Sequence, residues 1–293
     1  MATLSEWIEG ARPRTLPAAV APVALGAGAA YADGSLSWGL ALLALVVALC
    51  LQIGSNYAND YSDGVRGTDA VRVGPVRLVG QGLAAPTTVK AAAYASFFFA
   101  ALFGIALVAL TETWLMLLVG AASILAAWRY TGGERPYGYR GLGELSVFLF
   151  FGLVATLGTL YTQTHRITWA GLLGAVGVGA LACALLVANN LRDIPTDTAT
   201  GKNTLAVRLG DRRARWLWVG LIAVAGLAVV GVGIWHPVAL VGLAAFVLAW
   251  RPAATIRSGA TGPDLVPVLA ATGRLQLAYG LLFGVGIALT RHL

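Results

Sequence analysis

Charged residues are scarce in this chain of 293 residues: they make up 11% of it, whereas hydrophobic residues make up 58%. An average soluble domain carries about twice that charged fraction. A water-soluble core cannot absorb so much apolar surface, so the lipid bilayer is the expected solvent for most of the chain. The composition excludes an ordinary soluble enzyme and predicts a single membrane domain that comprises residues 1–293.

Cysteines and motifs of soluble proteins are also rare. The two cysteines, Cys50 and Cys183, lie inside apolar runs and are expected to be small core residues rather than a disulfide or a metal site. The pair Gly64 and Gly67 lacks the Gly-Lys-Ser/Thr ending of a P-loop. No basic-aromatic binding module accompanies the net charge of +7, so no nucleic-acid partner is expected. No cleavable signal peptide is apparent at the start.

Long apolar segments dominate what the chain does contain. A spanning helix needs about 20 mostly apolar residues. Nine segments approach that length: Thr15–Tyr31, Leu36–Asn59, Thr87–Leu110, Trp114–Tyr130, Leu142–Tyr161, Trp169–Leu191, Trp216–Ile234, Pro237–Trp250 and Arg274–Thr290. They are apolar on all sides and rich in Ala, Leu and Gly, which is typical of packed membrane helices and not of barrel strands. The expected fold is therefore all-α, a polytopic bundle of about nine transmembrane helices.

Basic residues are unevenly distributed between the two ends of these helices. With nine spans, 18 of the 20 Lys and Arg residues fall on the side of the N-terminus, and the exceptions are Arg166 and Arg291. Cytoplasmic loops carry the excess of positive charge in membrane proteins. The N-terminus and the long loops are therefore expected to face the cytoplasm, in a multi-pass protein of the cell membrane.

Acidic and amide side chains concentrate at the ends of two spans. The second span closes with Asn56-Tyr-Ala-Asn59-Asp60-Tyr-Ser-Asp63, and the sixth closes with Asn189-Asn190-Leu-Arg-Asp193-Ile-Pro-Thr-Asp197. Residues at i, i+4 and i+7 share one face of a helix, so Asn56, Asp60 and Asp63 are expected to lie together. Pro195 is expected to end the sixth helix and to leave Asp197 in the following turn.

Like charges on one helical face near lipid need a positive partner. Magnesium is the natural candidate, because it binds carboxylate, amide and phosphate oxygens and keeps part of its water shell. Two such clusters on one side of the membrane predict Mg²⁺ with a diphosphate between them. The two clusters are therefore the candidate site for the cation. The alternative is that these residues are ordinary helix caps and turns.

The loops that follow both clusters combine glycines with cations. Arg72 and Arg77 follow the first cluster, and Lys202 follows the second. Arginine suits bidentate contact with phosphate, and lysine supplies a compact charge. These three side chains are therefore expected to bind the diphosphate. The alternative is that they are ordinary positive charges of cytoplasmic loops.

With these motifs the chain resembles the UbiA superfamily of intramembrane aromatic prenyltransferases along nearly its whole length. The likeness lies in Asn59-Asp60-x-x-Asp63, Asp193-x-x-x-Asp197, Arg135-Pro-Tyr-Gly-Tyr139 and Gly201-Lys-Asn-Thr-Leu-Ala-Val-Arg-Leu-Gly210. Within the superfamily these strings are most similar to those of the enzymes that prenylate 1,4-dihydroxy-2-naphthoate in menaquinone synthesis. One departure is Gly67, which stands where many members have another Asp; the next acid here is Asp69.

The resemblance implies helices around a central cavity, with a Mg²⁺-dependent reaction at its cytosolic mouth. A polyprenyl group would pass from polyprenyl diphosphate to 1,4-dihydroxy-2-naphthoate with loss of carbon dioxide, which gives demethylmenaquinol. The implied catalytic residues are Asp60, Asp63, Asp193, Asp197 and Lys202. The implied Mg²⁺ ligands are Asn56, Asn59, Asp60, Asp63, Asn190, Asp193 and Asp197.

Side chains near these cations have further implied roles. Tyr130, Tyr137 and Tyr139 would shield the prenyl carbocation, with an interfacial aromatic belt as the alternative. Arg135 or Arg140 would pair with the naphthoate carboxylate.

Two other functions stay open at this point. One is a UbiA-type enzyme with a different acceptor, such as hydroxybenzoate, haem or a chlorin, because the sequence does not specify the pocket. The other is a cation transporter with intramembrane carboxylates, although transporter sites usually lie on broken helices at mid-membrane.

Glu144, at the start of the fifth span, is expected to cap that helix, and the alternative is contact with the aromatic substrate.

Overall fold

The computed structural model describes residues 2–67 and 76–292, and within these ranges the chain is helical with no strand. The α-helices are α1 (Leu4–Gly10), α2 (Pro17–Ala32), α3 (Trp38–Val65), α4 (Pro86–Thr111), α5 (Met116–Thr131), α6 (Gly143–Val147), α7 (Ala155–Thr164), α8 (Trp169–Arg192), α9 (Ile194–Ala199), α10 (Leu205–Gly233), α11 (Trp250–Arg257) and α12 (Val266–Leu289). The 3₁₀ segments are Pro13–Thr15, Tyr137–Arg140, Pro237–Ala249, Gly262–Leu265 and Thr290–His292, and a π-helical segment, Phe148–Val154, joins α6 to α7. The predicted all-α class is confirmed.

Seven helical segments in the described ranges are long and apolar enough to cross a membrane. An eighth span results if Leu4–Thr15 and Pro17–Ala32, which meet at a bend of 50°, are counted as one. Pro17 accounts for the bend, because it has no N–H for a continuous helix and its fixed φ suits the start of a new one. The remaining predicted span corresponds to α5, which has only 16 residues. Every predicted segment thus lies on helix, and the count of nine spans stays a prediction.

Helix α8 lies at the centre of the bundle because its packing surface is made of small residues. In its apolar window 67% of the residues are buried. A Cβ atom at Gly174 would lie 2.4 Å from a methyl of Leu25 on α2, and one at Gly177 would lie 1.8 Å from the hydroxyl of Tyr279 on α12. Small residues at helix contacts allow backbones to approach closely. The glycines of the sixth predicted span therefore fix how near α2 and α12 come to α8.

The two polar clusters lie at the C-terminal ends of α3 and α8. Helix α3 continues to Val65, so Asp60 and Asp63 belong to the helix itself. Helix α8 ends at Arg192, and Pro195 lies in the first turn of α9 together with Asp197. The sixth helix thus ends just before Pro195, as predicted, but Asp197 lies in a short helix and not in a turn. If α8 continued through Pro195, the proline ring would clash with the carbonyl group of the preceding turn. In the first turn of a new helix the N–H groups have no acceptor within the helix, so the N–H that proline lacks is not missed there.

Candidate active site

A cavity of about 720 Å³ opens between the helices and carries residues of both polar clusters on its wall. Along α3 its lining runs from Ala44 to Asp63, a distance of about 28 Å at the helical rise of 1.5 Å per residue. Polar and charged side chains line the end near Asp63, whereas residues such as Val23, Val108 and Phe151 line the rest. A polar mouth with a long apolar extension fits a ligand that has an anionic head and a hydrocarbon tail.

The structure brings most of the predicted site residues to this cavity. Those that line it are Asn56, Asn59, Asp63, Arg77, Tyr130, Tyr137, Tyr139, Asn190, Asp197 and Lys202. Arg135 and Arg140 are exposed and do not belong to its lining. Arg72 and Asp69 lie outside the described residues. The two clusters, separated by more than a hundred positions in sequence, therefore share one chamber.

Asp63 is the point where the two clusters meet. Its Oδ2 atom lies 3.3 Å from Nζ of Lys202, and both side chains are buried. The hydroxyl of Tyr139 donates a hydrogen bond to Oδ1 of Asp63, and Nζ of Lys202 lies 4.5 Å from the centre of the Tyr139 ring. The backbone N–H of Lys202 donates to the carbonyl of Asp197 at 2.8 Å. This chain of contacts joins the end of α3 to α9.

Asp60 and Asp193 have partners of their own outside the cavity lining. Asp60 is fully buried and accepts backbone hydrogen bonds from Leu78 and Val79, at 2.7 and 3.1 Å. Asp193 accepts two hydrogen bonds from the guanidinium of Arg192, at 2.7 and 2.8 Å. The first contact ties the loop that re-enters after α3 to that helix, and the second neutralises a buried carboxylate at the end of α8.

The amides of the first cluster are also engaged. Asn56 donates to the carbonyl of Ala11 at 2.8 Å and to the hydroxyl of Thr15 at 3.0 Å, which attaches the N-terminal segment to α3. Asn59 accepts from the hydroxyl of Thr131 at 2.8 Å, which attaches α5. The cluster thus assembles the cavity mouth as well as lining it.

Three arginines on the cavity wall were not assigned from the sequence: Arg12, Arg14 and Arg192. In the sequence, Arg12 and Arg14 are indistinguishable from the other positive charges that were predicted to lie on the side of the N-terminus. Arg192 carries a better signal, because it directly precedes Asp193 within the second cluster. With Arg77 and Lys202 these residues give the mouth five cations, which suits it to a polyanionic group.

Tyr137 lies between α5 and α6, outside the spans, and its hydroxyl donates to the carbonyl of Ala126 at 2.8 Å. Burial raises the pKa of the Tyr137 phenol above its ordinary value, against a smaller opposing effect of the hydrogen bond with Ser146. The phenol therefore remains protonated at neutral pH and keeps its role as a donor. This contact stabilises the short Tyr137–Arg140 segment that presents Tyr139 to Asp63.

The donor set of the mouth fits a hard divalent cation. Carboxylates of Asp63 and Asp197 and amides of Asn59 and Asn190 line the same chamber, and oxygen ligands of this kind suit Mg²⁺. Among the residues that the structure describes, no three or more Asp, Glu, His or Cys side chains converge as a ready metal site. Lys202 provides the positive charge beside Asp63. The site therefore offers ligands for a cation that shares its coordination with a substrate.

Comparison with known proteins agrees with this geometry. The model of the UbiA prenyltransferase family matches residues 19–261. A 1,4-dihydroxy-2-naphthoate octaprenyltransferase of Mycobacterium tuberculosis is 56% identical over 281 residues, which covers 96% of either chain. The Escherichia coli protein of the same name is 45% identical over 215 residues, which covers 71% of this chain and 70% of that one.

Solved structures share the fold. A UbiA homolog from Archaeoglobus fulgidus, bound to GPP and Mg²⁺, superposes with a TM-score of 0.69 at 17% identity and covers 95% of this chain and 99% of its own. An apo UbiA homolog from Aeropyrum pernix K1 gives a TM-score of 0.68 at 16% identity, with 92% and 96% covered. The chain therefore belongs to the UbiA prenyltransferase family, as its motifs predicted.

Proposed function

We propose that this protein transfers a polyprenyl group from polyprenyl diphosphate to 1,4-dihydroxy-2-naphthoate, with loss of carbon dioxide, and so forms demethylmenaquinol. The observation that carries the proposal is the single chamber in which Asp63, Asp197 and Lys202 form a charged mouth above a long apolar extension. The names of the mycobacterial and enterobacterial relatives support the naphthoate acceptor and a long prenyl chain.

The cations of the mouth would bind the diphosphate. Lys202 and Arg77 were predicted for this role, and the proposal is supported by the cavity lining, which includes both of them together with Arg12 and Arg14. Several fixed positive charges stabilise the negative charge that develops on a leaving diphosphate. Arg72 keeps the same proposed role, although it lies outside the described residues.

Magnesium would be held by Asp63 and Asp197, with Asn59 and Asn190 as amide ligands. When bound, Mg²⁺ neutralises diphosphate oxygens and so makes the diphosphate a better leaving group. For Asp60 and Asp193 the predicted role as ligands requires that each carboxylate exchange its present partner for the cation. Asn56 and Asn59 would need the same exchange at their Oδ1 atoms, which accept hydrogen bonds from Nε2 of Gln52 at 3.3 Å and from the hydroxyl of Thr131 at 2.8 Å.

The chemistry at the carbon atoms needs little help from a base. The allylic C–O bond breaks and its electron pair leaves with the diphosphate. The naphthoate ring carbon that bears the carboxylate attacks C1 of the prenyl group, and a C–C bond forms. Release of carbon dioxide then returns its bonding pair to the ring and restores aromaticity, so no proton has to be removed from that carbon.

The chain's aromatic side chains would surround the cationic carbon. Tyr130 and Tyr139 line the cavity, and aromatic faces attract cations. Tyr139 is also held in place by its hydrogen bond to Asp63. Arg135 and Arg140 flank the Tyr137–Tyr139 stretch and are exposed, so we propose that they guide the naphthoate carboxylate during entry.

The active site is proposed to face the cytoplasm of a cell-membrane protein. The mouth lies near Asp63, at the C-terminal end of α3. The loops on that side of the bundle carry nearly all the basic residues. At the opposite end, Arg166 pairs with Asp33 at 2.8 Å. This asymmetry is the one that positive-inside topology produces.

The test is a product assay with purified protein in detergent or nanodiscs. We expect a prenylated, decarboxylated naphthoquinol from 1,4-dihydroxy-2-naphthoate and octaprenyl diphosphate, no product after chelation of divalent cations, and recovery on addition of Mg²⁺. Hydroxybenzoate serves as the competing acceptor. Prenylation of hydroxybenzoate alone would overturn the acceptor, and cation flux into proteoliposomes without prenyl substrate, together with no transfer, would favour the transporter.

A further inference from the structure

We propose that Glu144 is a positioning residue for the cation site: it holds the Asn190 amide so that the amide oxygen faces the cavity. The inference rests on the proposed function, because the cation is the partner that this oxygen would bind. It assigns to Glu144 a role different from the helix cap expected from the sequence.

The contact between these two residues determines the orientation of the amide. Nδ2 of Asn190 donates a hydrogen bond to Oε1 of Glu144 at 3.1 Å, and both residues are buried. Both hydrogens of an asparagine amide are on Nδ2, and Oε1 of Glu144 accepts one of them, so the NH₂ group of Asn190 faces Glu144. Asn190 lines the cavity while Glu144 does not belong to its lining. Oδ1 of Asn190 is therefore the amide atom left for a ligand in the cavity.

The position of Glu144 is not explained by a cap. The N-cap residue of α6 is Leu142, which makes no side-chain hydrogen bond, and the Glu144 carboxyl group accepts its hydrogen bond from Asn190 on α8. The carboxylate is buried, and its Oε2 atom has no hydrogen-bond partner in the described structure. A buried polar atom without a hydrogen-bond partner lowers the stability of the folded state. The side chain is therefore unfavourable for stability, and a role in orienting Asn190 would explain why a glutamate stands at this position.

A second contact with α8 holds the backbone of Glu144 in place. Its carbonyl oxygen accepts a hydrogen bond from Sγ of Cys183 at 3.1 Å. Cys183 precedes Asn190 by about two turns of α8. Glu144 is thereby attached to α8 at two points, through Cys183 and through Asn190. A residue held in this way can set a ligand's orientation without touching the substrate.

The neighbouring amide, Asn189, shows the opposite orientation and supplies a control. Its Oδ1 accepts a hydrogen bond from Nη2 of Arg192 at 2.9 Å, so its oxygen is already used by the protein. Both amides line the cavity. Of this adjacent pair, only the oxygen of Asn190 is turned toward the cavity by a partner on its nitrogen side.

The experiment measures binding of Mn²⁺, as a spectroscopic substitute for Mg²⁺, to the purified full chain with a non-reactive prenyl thiodiphosphate. The free Mn²⁺ signal in electron paramagnetic resonance gives the affinity directly. Loss of an outer-shell partner typically weakens a metal site by about 10-fold or more. We expect that loss in Glu144→Met, which keeps an unbranched side chain but has no acceptor. Glu144→Gln keeps an acceptor, so its affinity should remain within about threefold of wild type.

A double-mutant cycle separates positioning from a general structural effect. In an Asn190→Ala background, Glu144→Met should cause no further loss of Mn²⁺ affinity, because the ligand that it orients is already gone. Additive losses, or wild-type affinity in Glu144→Met, would overturn the inference. If Glu144→Met does not fold, Asn190→Ala alone decides: it should lose affinity whereas Asn189→Ala should not, and equal behaviour of the two contradicts the inference.

Failure of this inference is distinguishable from failure of the proposed function. If wild type binds Mn²⁺ and prenylates the naphthoate while the cycle is additive, only the role of Glu144 falls. If wild type itself needs no divalent cation for transfer, the proposed Mg²⁺ site falls, whatever the variants do.

Discussion

At the scale of single residues, the cavity mouth is a set of opposite charges that hold one another in place. Asp63 is paired with Lys202, and Asp193 is paired with Arg192, with all four side chains buried. Buried ion pairs contribute little net stability, but loss of one partner leaves a costly charge. The two pairs therefore respond differently to substitution, because both members of the first pair line the cavity, whereas in the second pair the carboxylate of Asp193 does not.

Asp63→Asn tests the pair that faces the cavity. The amide retains an acceptor for Tyr139 but loses the charge that binds a cation, so turnover should fall by about 10²–10³. Steady-state assays with the naphthoate acceptor measure it. Asp33→Asn removes a carboxylate from the opposite end of the molecule, where it pairs with Arg166, and should leave turnover unchanged. Similar turnover of the two variants would contradict the assignment of Asp63.

Arg192→Met tests the second pair. It leaves the buried carboxylate of Asp193 without its two hydrogen bonds, which should reduce stability by about 3 kcal/mol or more. Thermal unfolding in detergent, followed by size-exclusion chromatography, measures the change. Combining Arg192→Met with Asp193→Asn removes both charges and should restore most of the lost stability. No recovery in the double variant would show that Arg192 acts through other contacts.

Much of this site was predictable from residue types, and the limits have physical causes. Helical spacing predicted that Asn56, Asp60 and Asp63 lie on one face. The position of both clusters at the same side of the membrane predicted that Asp63 and Asp197 lie near the same cations. Spacing does not determine which carboxylate turns away. Asp60 faces backbone N–H groups of a loop some eighteen positions later, and that contact depends on the path of the loop. The same limitation hid the contact between Glu144 and Asn190.

At the scale of helices, close packing around α8 fixes the distance between the walls of the cavity. Gly177 receives the hydroxyl of Tyr279, which donates to the carbonyl of Ala225 on α10. Tyr279 is fully buried, so its ring has no free space to move into. Three helices are thus joined at one glycine.

Gly177→Ala should therefore destabilise the protein by about 1–3 kcal/mol, the usual cost of overpacking a core. The matched control is Gly220→Ala on α10, where a Cβ atom meets nothing within 4 Å. Alanine in an open helical position is neutral or favourable. Thermal unfolding of both variants provides the comparison, and equal midpoints would contradict the role of Gly177 in packing.

Apolar length and small residues predicted these helices well, because the bilayer requires every backbone group to be bonded within its own segment. Helix ends were harder. Pro195 indicates that a helix ends near it, but a proline is also compatible with the first turn of another helix. The sequence therefore did not show that α9 begins directly after α8 ends at Arg192.

At the scale of the whole molecule, the proposed orientation places the mouth in the cytoplasm. Single cysteines in a background without Cys50 and Cys183 test it with a membrane-impermeant maleimide. A cysteine at Gly201, in the loop beside Lys202, should react only in inverted vesicles, and one at Arg166 only in intact spheroplasts. The reverse pattern would place the active site on the other side of the membrane.

The central claim is that one diphosphate-bound cation contacts both α3 and α9, through Asp63 and Asp197. Electron–nuclear double resonance of Mn²⁺ with a prenyl thiodiphosphate measures it directly, through the coupling between the metal and the phosphorus nuclei. The account predicts a strong coupling in wild type and in Asp33→Asn, and its loss in Asp63→Asn and in Asp197→Asn. An unchanged coupling in either of those two variants would contradict the account.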